Sequence, residues 1–114
     1  MITRLQAQRN GDELWSSADE FRSSVTLWAE KIRVRPSRIQ IRDMRQKWAS
    51  CSRTGIVTFS RDLLSRSREF GEAVIVHELI HLRVRNHGQL FRSLFRAFLP
   101  NGEASLNGHF DELD

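Results

Sequence analysis

The stretch VIVHELIHLRVRNHGQLF, residues 74 to 91, restricts this chain more than any other. His77 and His81 stand four residues apart inside an apolar run, so a helix brings both imidazoles to one face and sets Glu78 beside them. Val74, Ile75, Ile80, Leu82 and Val84 cover so much of that helix that it must be largely buried. The pattern predicts a helix from Glu72 to about Arg85, with Gly71 and Glu72 at its start. Two buried imidazoles and a carboxylate need partners, either hydrogen bonds to neighbours or a metal ion. The spacing favours the metal.

Two histidines leave a catalytic zinc one protein ligand short. His87 follows six residues after His81, just past the predicted helix end. A helix running straight on would carry it away, whereas a turn at Asn86 and Gly88 returns it, since Asn tolerates unusual backbone angles and Gly relieves crowding. His87 is therefore the expected third ligand, and Glu103 the alternative, supplied by a later helix. His109 reads as a surface histidine, one that approaches the site if the tail folds back. Zinc on three imidazoles keeps one open position, polarises water and a carbonyl, and leaves Glu78 to take and return the proton as general base. Amide hydrolysis is the chemistry such a site implies. A further donor for the oxyanion is expected from Asn86, Arg85 or a backbone amide.

The rest of the chain reads as an α+β fold. Ser17 and Glu20 have capping-box spacing, and Phe21, Val25, Trp28, Ala29 and Ile32 form one helical stripe before Pro36 ends it. Ile39 and Ile41 alternate with Arg38, Gln40 and Arg42 as in a strand. A short extended piece at 47–50, the turn Arg53-Thr54-Gly55 and the strand Ile56–Phe59 predict a hairpin. Ile56, Val57, Thr58 and Phe59 are the expected edge that binds an extended peptide by main-chain bonds, with Trp48 as cleft wall and Asn86 near the substrate. Residues 61–66 suggest a short helical turn. A last helix runs from Gly88 or Gln89 through Leu90, Phe91, Leu94, Phe95 and Phe98 to Pro100. The acidic end, Asp111, Glu112 and Asp114, reads as solvated. One domain over 1–114 is expected, with a small antiparallel or mixed sheet of about three strands packed on an N-terminal helix and the metal-bearing helix.

Charge decides which other functions remain open. The net charge is +4, yet residues 31–68 carry eleven basic and two acidic side chains, and sixteen of the eighteen basic residues are arginine. Arg38, Arg42, Arg45, Lys47 and Arg53 are the candidate polyanion contacts, weighed against an ordinary solvated face. Two alternatives follow: a nucleic-acid-binding module with structural zinc, and a hydrolase acting on a nucleoside triphosphate such as UTP. Neither a nucleic-acid motif nor a Walker-type loop supports them. No apolar run is long enough for a membrane span and no secretory signal is evident, so a cytoplasmic address is expected. The single cysteine, Cys51, cannot form an internal disulfide. It reads as a small buried hydrophobe, with a regulatory thiol facing the metal as the alternative. Oligomeric state is not legible.

Two motifs in order carry a resemblance. Ile41 and Arg42 lead to Trp48, Ser50, Cys51 and Ser52, then Gly55, then His77, Glu78, Leu79, His81, Leu82, Asn86, His87 and Phe91. From about Trp28 to Pro100 the chain resembles the small YgjP-like, M48-related metallopeptidase domain and, more remotely, the SprT-like proteases. The resemblance implies a minimal zincin-like core with one zinc ion on the three histidines, Glu78 as base and a peptide or protein substrate. Ala49 stands where that family usually has glycine, and Arg92 where it has a bulky aromatic. Val84 occupies the glycine position of the metzincin signature, and no methionine lies downstream, so the chain does not resemble a metzincin.

Overall fold

Helix α1, Ala18–Ile32, begins as its cap predicts. Ser17 accepts a hydrogen bond from the Glu20 amide, and Glu20 reaches back to the amide and hydroxyl of Ser16. The computed structural model describes residues 14–106, 108, 109 and 113. The helix stops at Arg33, which adopts a left-handed conformation (φ 65°) and donates to the Ala29 and Glu30 carbonyls. Phe21, Val25, Ala29 and Ile32 are buried, whereas Trp28, expected in the core, is only half-buried with the Lys31 ammonium 4.6 Å from its ring.

Among the described residues three strands form one mixed sheet: β1 (Arg38–Arg42), β2 (Ala49–Cys51) and β3 (Ile56–Ser60), in the order β1-β3-β2. β2 and β3 pair antiparallel as the predicted hairpin. Its three-residue loop closes through Gly55 N–H to Ser52 O and Ser52 N–H to Ile56 O. Gly55 sits at φ +94°, which a side chain would strain. β1 pairs with β3 in parallel, Arg38 opposite Ile56. The strand 56–59 is therefore central, not the edge expected from sequence. Parallel β1–β3 pairing is a long-range event that no local pattern announces.

A 3-10 turn, Arg61–Ser65, follows β3 as expected. Helix α2, Arg68–Ile80, starts four residues earlier than predicted because Ser67 caps it through the Phe70 amide. Gly71 lies inside the helix for a packing reason: a β-carbon there would sit 2.7 Å from the Trp15 indole nitrogen. From Ala73 to Ile80 every residue is buried, so α2 is the axis of the core. It ends at Ile80, about one turn sooner than predicted, and His81 caps it. α3 (Gln89–Phe98) and α4 (Gly102–Leu106) then cover α2, burying Phe91, Phe95 and Leu106. Asp111, Glu112 and Asp114 lie outside the described residues.

Candidate metal centre

His77 and His81 come from the last turn of α2 and its cap, and His87 from the loop that leads into α3. Their ligand nitrogens all lie within 4.8 Å of one another. Two of the rings are buried, while His87 is partly exposed. The turn that returns His87 is built locally. Val84 N–H bonds the Ile80 carbonyl, and the Asn86 side chain accepts from the Gly88 amide at 3.1 Å, which sets the start of α3. Asn86, expected near the substrate, spends its carbonyl on this turn.

The imidazoles are oriented by what their other nitrogens meet. His81 Nδ1 lies 3.1 Å from the Val84 carbonyl, a contact that requires an N–H there and leaves the Nε2 lone pair facing the cluster. His81 Nε2 and His87 Nε2 stand 2.9 Å apart. Two imidazole nitrogens on one tetrahedral zinc lie about 3.3 Å apart, from bonds of about 2.0 Å, so this pair needs a shift of a few tenths of an ångström to share an ion, and the wider spacings in the cluster close by side-chain rotation. Neutral imidazoles are also the donor type that zinc favours. The residues present fit the metal.

Glu78 is fully buried, with Oε2 3.3 Å from His77 Nδ1, beside the cluster but not one of its three ligands. Glu103, the alternative ligand, is exposed and pairs with Arg96 at 3.4 Å. Cys51 is buried with its sulfur 3.7 Å from the Ser52 carbonyl and 3.8 Å from Arg85, and it does not belong to the metal-capable group.

The sheet edge nearest the metal helix is β2, which packs against α2. Trp48 marks one end of it, half-buried and edge-on to Phe70 at 5.2 Å, above a cavity of 130 Å³ lined by Arg45, Lys47, Asp62 and His109 among others. Arg85 marks the other end, donating to the Cys51 carbonyl at 3.3 Å and the Ser52 carbonyl at 3.4 Å. In the ladder, Trp48 and Ser52 bond inward to β3, so the main-chain groups of Ala49 and Cys51 face outward. Sequence reasoning missed this edge because it misplaced β3. It also placed His109 on the surface, whereas that ring packs against Trp48 and Phe70 at 5.9 and 5.4 Å.

The polyanion candidates are all exposed: Arg38 and Arg42 on β1, Arg45 and Lys47 in the loop after it, and Arg53 in the hairpin turn. No helix of the described residues is long and apolar enough to cross a membrane.

Comparison with known proteins gives a consistent outcome. The sequence matches the family described as "YgjP-like, metallopeptidase domain" over residues 14–107. The structure is similar to the metallopeptidase zymogen of Methanocaldococcus jannaschii jannalysin, with 26% identity, a TM-score of 0.65, and coverage of 75% of this chain and 81% of that one. It is also similar to the metallopeptidase zymogen of Pyrococcus abyssi abylysin, with 17% identity, a TM-score of 0.68, and coverage of 76% and 89%; at that identity the likeness concerns the fold. A search of curated proteins found no match.

Proposed function

Since the chain belongs to the YgjP-like metallopeptidase domain family, we propose that its zinc-metallopeptidase-type site cleaves peptide bonds in a protein or peptide laid along β2. The observation that carries this reading is the convergence of His77, His81 and His87 beside Glu78 on a helix flanked by that strand.

The three imidazoles would hold one zinc ion, which would supply Lewis acidity toward the substrate carbonyl and toward water. Glu78 takes the proton from the attacking water and delivers it to the leaving amide nitrogen as the C–N bond breaks. Its carboxylate is held in place by burial on α2. The outward groups of Ala49 and the outward N–H of Cys51 align the substrate main chain, while Arg85 takes the Cys51 carbonyl and fixes the strand to the loop that carries His87. Trp48 bounds a candidate side-chain pocket lined by groups of both charges, among them Arg45 and Asp62.

The two solved structures described above are zymogens, and this chain has features of its own that suit latency. Ala49 has no exposed surface although it lies on an outer strand, His109 packs on Trp48, and Leu113 is buried. We read His109 and Leu113 as restraining access to the cleft. The exposed arginines of β1 and its following loop support a weak, salt-dependent contact with nucleic acid that brings the peptidase to bound proteins. A single cysteine, which cannot form an internal disulfide, suits a reducing compartment such as the cytoplasm.

The test is incubation of zinc-loaded protein with a denatured protein pool and, separately, with UTP. Peptide products alone support the reading. Consumption of UTP alone would keep the metal site and reassign the substrate.

A further inference from the structure

Phe91 lies in the first turn of α3 and is 1% exposed. Its ring centroid is 4.9 Å from that of His77, 4.7 Å from His81 and 4.9 Å from His87. One side chain thus touches all three proposed ligands, which come from two different backbone segments. Phe95, one turn later, meets His77 at 6.1 Å and backs Phe91 at 6.3 Å.

We propose that Phe91 is a positioning residue for the metal, an apolar wall that holds the three imidazoles in one arrangement before the ion arrives. The proposal rests on the zinc reading of the site. His77 and His81 have helical spacing to set their directions, and His81 has the Val84 carbonyl as well. His87 lies in irregular backbone, and the Phe91 ring stands edge-on to it at an interplanar angle of 86°. Each imidazole packs against the same ring, so rotation of any one of them away from the cluster sacrifices that contact. The ring also closes one side of the site, and an apolar shell of this kind controls solvent access to a metal.

A smaller residue opens a void and frees the imidazoles to occupy other rotamers, so metal binding must first reorder them. Loss of supporting contacts around a metal typically weakens its binding by about 10- to 100-fold. Burial alone does not produce that effect. Phe21 is equally buried and packs on Trp15 and Phe59, so Phe21→Leu serves as the matched packing control.

The experiment compares wild type, Phe91→Leu and Phe21→Leu by three readouts: zinc affinity in competition with a chromogenic chelator, the visible spectrum after loading with Co²⁺, and thermal unfolding of the metal-free protein. Phe91→Leu is chosen because it keeps an apolar side chain and the better chance of folding; Phe91→Ala extends the series. Expected is a zinc affinity lowered about 10- to 100-fold with an altered Co²⁺ spectrum in Phe91→Leu, and in Phe21→Leu a lowered Tm with both metal readouts unchanged. If Phe91→Leu binds zinc as wild type does with the same spectrum, while its Tm falls, Phe91 only packs and the proposal is overturned. If wild type itself binds neither ion, the metal reading of the site fails instead.

Discussion

The Nε2 atoms of His81 and His87 face one another at 2.9 Å, across the five residues that separate them in sequence. Two such nitrogens repel unless a proton or a cation lies between them, so His87 stands where it can share an ion with His81. His87→Ala should weaken zinc binding by more than the roughly 100-fold that loss of a supporting contact costs. Glu103→Ala should leave it unchanged, because Glu103 serves Arg96. Chelator competition on both variants decides the third ligand, and equal losses would reject this assignment.

Arg85 joins the loop of His87 to the outer strand through the Cys51 and Ser52 carbonyls, 34 and 33 residues away. Removing the guanidinium lets β2 shift relative to the metal. Arg85→Ala is expected to lower kcat/KM by about tenfold, the equivalent of one charge-assisted hydrogen bond, and Arg85→Lys to recover only part, since a lysine cannot span both carbonyls with a rigid fork. Unchanged kinetics on peptides would place the substrate elsewhere.

What could be read in the sequence was local. The four-residue spacing of His77 and His81, the Asn86 and Gly88 turn and the hairpin around Gly55 each depend on neighbours within a few positions. What escaped depends on distant partners. Gly71 reads as a helix start until Trp15 is seen against it, and Ile56–Phe59 reads as an edge until β1 pairs beside it in parallel. The link from Arg85 to Cys51 and the seat of His109 on Trp48 leave no signal in periodicity or spacing. The Phe91 stripe was legible as helix, while its contact with three imidazoles was not.

Removal of residues 107–114 tests latency. The shortened chain keeps α4 through Leu106 and loses the His109 contact with Trp48. Cleavage of a denatured protein should rise by about tenfold or more, as expected when fewer than about one molecule in ten has an accessible cleft. A folded truncated protein that cleaves no faster than the full chain would rule out restraint by this segment.

Glu72, half-buried on α2, gives a prediction about pH. Burial holds its carboxyl above the ordinary value of 4.5, partly offset by Arg68 and Lys31. A carboxyl with a raised folded-state pKa binds protons more readily folded than unfolded. Its contribution therefore favours folding at low pH and is lost as pH rises through the folded value. Glu72→Gln should raise Tm at pH 7, with the gain shrinking as pH falls toward 4.5. A Tm difference that is constant across this range would show that the charge is not the cause.

The central claim is that Glu78 moves protons without holding the metal. Its most direct test is Glu78→Gln, with zinc content and peptide-bond cleavage measured on the same preparation as wild type. Both proteins are predicted to bind about one zinc per chain, with cleavage by the variant reduced by about 100-fold or more. A variant that loses its zinc, or one that retains zinc and cleaves like wild type, would contradict the account.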